Sequence, residues 1–245
     1  MLLFSGFLAG TALGQRATEE KPAGLEAFVA KMQQAYSNPS YLSFRVKYSY
    51  ANEGQPGKYL DSLSGSIAMD KGRFRFSIDG TETLMTDKYT IRVVDEDKMI
   101  YLAAARHKAI PDPVAMVDSA LTHMTGAQTG LVTSGNSETL TIRFPAGQSY
   151  TWMKMTMDSR SGRLFRVEYG LHTTGIVSPE MMEGPGHTGP YQPEGRVDIV
   201  FSQYEEGRID DGVFDESKFI THESGRFLPV GRYKDYQVFL ASSNL

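Results

Sequence analysis

The chain has no cysteine among its 245 residues. That excludes disulfides, thiolate metal sites, iron–sulfur clusters, a cysteine nucleophile and lipid attachment through an N-terminal cysteine. It also has no basic run. Lys and Arg number 25 against 29 Asp and Glu, for a net charge of −4. Binding a nucleic-acid backbone needs clustered positive charge, so nucleic acid is set aside as a partner. Histidine is sparse: His107, His123, His172, His187 and His222 stand at no metal-ligand or catalytic spacing. Asp95-Glu96-Asp97 has too few oxygen ligands for a calcium loop and reads as a turn. Ser64-Gly65-Ser66 lacks the strand–elbow–helix setting of a hydrolase nucleophile. There is no phosphate loop. No catalytic residue, metal or cofactor is expected.

Long apolar runs are missing too, so no stable membrane span is expected. The one apolar stretch is Met1–Gly14, followed abruptly by the polar spacer 15–23. It reads as a signal peptide without the usual basic n-region, with Ala12-Leu13-Gly14 as its cleavage site. The mature chain is then expected to be exported and soluble.

What is present is period two. In Tyr41–Tyr50, Leu42, Phe44, Val46, Tyr48 and Tyr50 share one side, and Ser43, Arg45, Lys47 and Ser49 the other. Arg73–Ile78, Leu140–Phe144 and Val197–Phe201 repeat the pattern. Successive strand side chains point to opposite faces, so each segment requires one covered face. Asp70-Lys71-Gly72 and Asp79-Gly80 read as hairpin turns.

Two segments read as helices. In Gly24–Tyr36, Leu25, Phe28, Val29, Met32, Ala35 and Tyr36 fall at helical spacing, and Asn38-Pro39-Ser40 stops it. In Asp112–Met124, Asp112 is the N-cap, Pro113 opens the helix, and Val114, Val117, Ala120, Leu121 and Met124 form the stripe. Gly126 onward reads as a polar loop, and 170–195 as a Gly/Pro-rich loop insert. Neither gives a domain boundary, so 24–245 is expected to be one domain.

A sheet of this size has more inward apolar surface than two short helices cover. Twelve Met residues, several between 116 and 182, suit an adaptable apolar groove. The expectation is a groove for an acyl chain or an apolar peptide, with 112–124 as a plug.

The order of elements resembles the LolA-like superfamily of periplasmic lipoprotein carriers. The resemblance rests on the strand Tyr41–Val46, the hairpin Gly65–Phe76, the segment Leu84–Ile91 with Lys98–Leu102 after it, and the hairpin Met153–Leu164. The most specific part is Val197–Tyr204 followed by Ile209–Phe214. It implies an unclosed antiparallel β-barrel around lid helices that carries lipoprotein acyl chains without catalysis or cofactor. Carrier members lack the lipidated cysteine of the receptor branch, as this chain does. The family's basic-Arg-Pro turn, whose arginine holds the lid, stands here as Asp70-Lys71-Gly72, leaving Lys71 as the lid-latch candidate. Phe74 falls near a cavity aromatic. The insert 170–195 and the tail after Phe219 depart from the pattern.

The sequence therefore predicts a mainly β protein: a strongly curved antiparallel sheet of about ten strands, an N-terminal helix and a plug or lid helix. The expected apolar lining is Phe44, Val46, Tyr48, Phe74, Phe76, Ile78, Ile91, Val93, Ile142, Phe144, Val197, Ile199 and Phe201, with Val117, Leu121 and Met124 from the plug. The expected function is carriage of lipoprotein acyl chains, or another lipid, across the periplasm from an inner-membrane donor to an outer-membrane acceptor. The alternative is a non-catalytic envelope module that docks or senses a protein.

Overall fold

In the computed structural model the described residues are 24–37, 39–105, 126–174, 176–184, 187–207, 210–242 and 245. Helix α1 (Leu25–Ser37) leads into β1 (Tyr41–Asn52), β2 (Tyr59–Asp70), β3 (Arg73–Ile78), β4 (Thr81–Met85), β5 (Tyr89–Val94) and β6 (Met99–Ala104). Then come β7 (Gln128–Ser134), β8 (Ser137–Arg143), β9 (Tyr150–Asp158) and β10 (Leu164–His172). The short pair β11 (Glu183–Gly184) and β12 (His187–Thr188) precedes β13 (Glu194–Glu206). The tail adds the hairpin β14 (Ile220–Glu223) and β15 (Arg226–Pro229), and finally β16 (Gln237–Leu240).

Twelve strands form one sheet in the order β16-β6-β5-β4-β3-β2-β1-β13-β10-β9-β8-β7, curved and not closed into a barrel. Every pairing in it is antiparallel except β16 against β6. The two hairpin turns read from the sequence are present, with Lys71 and Gly72 at φ +45° and +90°, and Asp79 and Gly80 at +40° and +72°. Positive φ at both central residues matches the right-handed twist of the flanking strands. Residues 128–134 are strand β7, not the polar loop expected there.

Curvature follows from what one helix touches. Leu25, Phe28, Met32 and Tyr36 of α1 share a core with Phe44, Val46, Ile67, Phe74, Leu140, Ile142, Met155, Val167 and Ile199, drawn from seven adjacent strands. Seven strands laid flat would span about 29 Å, far wider than a helix of about 10 Å, so the sheet must wrap around α1. Gly65 lets β2 and β3 approach closely, since a Cβ there would stand 2.3 Å from the Ser77 carbonyl.

The helix is also pinned by polar contacts. Lys31 pairs with Glu138, and Tyr36 and Tyr204 meet hydroxyl to hydroxyl at 2.7 Å. Tyr204 donates to the Leu164 carbonyl at 2.6 Å. In the β9–β10 turn, Gly162 has φ +71°, and a Cβ would stand 2.7 Å from the Lys31 carbonyl and 3.2 Å from Ala35 Cβ. A side chain here meets both backbone strain and the helix. Gly162→Val is expected to destabilise the fold by about 3 kcal/mol, read as a lower urea midpoint at unchanged slope.

The tail builds a second core on the opposite face. Phe214, Phe219, Ile220 and Tyr233 pack on Leu84, Ile91, Val93, Ile100 and Leu102. Glu82, buried beneath them, accepts from Arg75 at 2.6 Å, Arg232 at 2.9 Å and Tyr233 at 3.0 Å. The tail after Phe219, atypical for the resembled family, is thus packed onto the same sheet.

Candidate functional site

Register sets which side chains share the concave face. Tyr48 pairs with Leu63 and Ile199, Tyr50 with Val197, and Val197 with Tyr169. Ile78 lies opposite Gly65, which is opposite Val46. α1 covers only one end of this face. At the other end Tyr48, Tyr50, Leu63, Ile78, Tyr169 and Val197 line a groove of about 290 Å³, with Asp61 and Ser62 at its rim. That is just below the usual size of a small-molecule site. Its upper end is built from Tyr50, whose hydroxyl meets Thr173 at 2.7 Å and whose ring lies 5.3 Å from Tyr191. Gly195 makes room for Tyr50, since a Cβ would stand 2.1 Å from its hydroxyl. The insert 170–195 therefore abuts the groove, tied to β1 by Asn52, which donates to the Pro190 carbonyl and accepts from Gln192 N.

The groove is electrically quiet. Burial, helped by Tyr150 and Tyr48 nearby, pushes the Tyr169 hydroxyl up to about 12. Burial raises Tyr48 as well. Both phenols stay neutral at physiological pH, which leaves an apolar wall with a few hydrogen-bonding tips. Among the described residues no group of three or more His, Asp or Glu is placed to hold a metal ion.

The convex side of the same strands is a charged ladder. Glu168 and Asp198, both buried, are direct cross-strand partners. Two like charges so placed repel unless cations surround them. Arg166 grips Asp198 through two hydrogen bonds at 2.8 and 2.7 Å, Tyr59 donates to it at 3.0 Å, and Arg196 holds Glu168 at 2.7 Å. Burial pushes the Asp198 carboxyl up, but bonds from Arg166 and Tyr59 outweigh it and hold the group below the usual carboxylate range. A depressed folded pKa contributes stability above the unfolded value, near about 4, and that contribution is lost as pH falls through the lower folded value. Asp198→Asn should therefore cost roughly 2 kcal/mol at pH 7, a figure discounted because Arg166 is partly exposed. Melts from pH 7 down to pH 2.5 should show this difference shrinking below about pH 4.

The structure sorts the residues singled out in the sequence. Phe44, Val46, Phe74, Ile142 and Ile199 are buried beneath α1. Tyr48, Phe76, Phe144, Val197 and Phe201 are partly buried against that core, and Ile78 lies in the groove. Ile91 and Val93 are corrected: Ile91 pairs with Leu84 and Leu84 with Arg75, so both face the convex side under the tail. Alternation with Thr90 and Arg92 marks Ile91 and Val93 as the covered side of β5, but it could not tell that the cover is the tail on the convex face. Val117, Leu121 and Met124, with the whole plug segment 112–124, lie outside the described residues, as does the proposed leader 1–14. Lys71 sits exposed at its turn, beside a recess of about 350 Å³ lined also by Tyr36, Leu42, Met69 and Arg73. Leu63 and Tyr169 belong to the groove but were not singled out. The β10 alternation that would have shown Tyr169 is broken by a bulge between Leu164 and Arg166.

No family model matches the chain, and no curated protein matches its sequence. Solved structures do align with it. An uncharacterized conserved protein from Thermus thermophilus is 10% identical, with 88% of this chain and 98% of that one covered, at a TM-score of 0.46. A LolA superfamily protein from Nitrosomonas europaea is 10% identical over 78% of this chain and 97% of its own, at 0.31. The Mycobacterium tuberculosis lipoprotein LppX is 12% identical over 76% and 99%, at 0.35. All three superpose loosely. What the described residues themselves show is one α-helix cradled by an unclosed, curved, largely antiparallel sheet.

Proposed function

We propose that this protein is a periplasmic carrier of an apolar ligand, with lipoprotein acyl chains as cargo moving from an inner-membrane donor to an outer-membrane acceptor. The observation that carries the reading is the end of the concave face that no described residue fully covers, where Tyr48, Tyr169 and Val197, at the margin of the α1 core, line a groove with Leu63 and Ile78. Each methylene buried there contributes about 0.8 kcal/mol, so an acyl chain can be held without a charged anchor. The reading takes 24–245 as one domain, preceded by the spacer 15–23 and exported by the leader 1–14, and needs no catalytic group. Among the described residues no helix is long and apolar enough to cross a membrane.

The test is native mass spectrometry of the purified chain, with displacement of a fluorescent fatty acid in solution. Co-purifying lipid and saturable displacement are the expected results. A chain that carries no lipid and takes up no probe would instead be an envelope docking module, and the carrier reading would fall.

A further inference from the structure

The walls of the concave groove are aromatic and aliphatic, and of the residues lining it Asp61 alone is charged. Register fixes where that carboxylate stands. Asp61 of β2 is the direct cross-strand partner of Tyr50 in β1, Tyr50 is the partner of Val197 in β13, and Val197 is the partner of Tyr169 in β10. Direct partners share a face and hold their Cβ atoms about 4.5–5.5 Å apart. Asp61 is therefore on the concave side, exposed, beside the Tyr50 ring at the groove's mouth.

No side chain of the sheet neutralises it. Among the described residues its carboxylate accepts from the backbone N–H of Ser62 at 2.7 Å and pairs with no lysine or arginine. Arg45, Lys47, Arg166 and Arg196 on the neighbouring strands point to the convex face. By contrast Asp70, Glu82, Glu138, Glu168 and Asp198, also on strands, each hold a lysine or arginine.

An unpaired carboxylate at the mouth of an apolar groove sorts ligands by their polar end. A positive group there is attracted by the carboxylate and by the face of the Tyr50 ring, whose hydroxyl is already bonded to Thr173. A negative group is repelled. At roughly 30 Å³ for each methylene, about a water's share of liquid volume, the groove's 290 Å³ is filled by one chain of about ten carbons.

We propose that the groove's ligand is a single acyl or alkyl chain whose polar end carries an ammonium, the chain lying against Val197 and Tyr169 and the ammonium between the Asp61 carboxylate and the Tyr50 ring. The inference rests on the carrier reading and names the polar end of its ligand.

Displacement of the uncharged probe N-phenyl-1-naphthylamine compares dodecylammonium, dodecanol and dodecanoate, each below its micelle concentration at pH 7 and low salt. Dodecylammonium should displace the probe at a concentration at least about fivefold below that of dodecanol, with dodecanoate the weakest of the three. Asp61→Asn keeps the acceptor for Ser62 and should bring dodecylammonium within about twofold of dodecanol while leaving dodecanol unchanged. Asp97→Asn removes the same unit of charge from an exposed turn on β5–β6 and should keep the full preference. A preference that survives Asp61→Asn, or that Asp97→Asn lowers equally, would come from net charge and overturns the proposal. Displacement by all three compounds with no preference overturns it too, and leaves the carrier reading standing. A groove that takes up neither the probe nor any of the three compounds ends both.

Discussion

A chain ending at Gly207 is expected to aggregate when expressed. Leu84, Ile91, Val93, Ile100 and Leu102 are wholly buried, and residues 210–245 cover them. Burying each such side chain is worth about 1.5–3 kcal/mol, so five amount to about 7–15 kcal/mol as an upper bound. That equals the whole stability of an ordinary domain, about 5–15 kcal/mol. Two further losses compound it. Without Arg232 and Tyr233, the carboxylate of Glu82 keeps Arg75 alone. Without β16, strand β6 becomes a bare edge able to pair with another chain. The shortened chain should elute as large species on gel filtration and bind a hydrophobic dye, where the full chain does neither. A monomeric truncation with an unchanged urea midpoint would show that the tail is not part of this core.

The same segment explains the limits of the sequence reading. Where one face of a strand is polar, alternation alone placed the side chains: Phe44, Val46 and Tyr48 share the concave face because Arg45 and Lys47 demand the other. The hairpin turns at Lys71-Gly72 and Asp79-Gly80 were legible because positive φ selects a narrow set of residues. Strands β4 to β6 were legible as strands but not by face. In β5 Thr90 and Arg92 mark the polar side and Ile91 and Val93 the covered one, but alternation does not say whether the cover is the concave interior or the tail. Only the ladder of partners from Phe74 through Met85 to Thr90 decides it. Strand β7 was hidden by its small polar residues, which suit an edge. The groove was foreseen as apolar area exceeding its cover, but its position depends on where α1 stops, which no local pattern encodes. The hydrogen bond from Trp152 to Glu53 carried no signal at all, because 99 residues separate them in sequence.

Val197→Asp is expected to weaken acyl-chain binding about fiftyfold without unfolding the protein. Val197 stands on the concave face between Tyr50 of β1 and Tyr169 of β10, at the centre of the groove and only partly buried. In the empty groove water reaches the site, so the new carboxylate stays hydrated and the fold loses little. A bound chain must strip that water or retreat from the charge. Retreat by about three methylenes forfeits about 2.4 kcal/mol, which is about fiftyfold in affinity. Val200, three residues on in the same strand, points out of the convex face and is 40% exposed. Val200→Asp adds the same charge to β13 on the wrong side of the sheet, and its affinity should match that of the unaltered chain. Displacement of a fluorescent fatty acid compares the three proteins directly, with thermal melts as the control for folding. Equal affinity in all three would mean that the ligand does not lie against Val197, and the concave groove would lose its claim to the cargo. Equal weakening by both substitutions would point instead to net charge acting on the fatty-acid headgroup, a long-range effect that should fade as salt is raised.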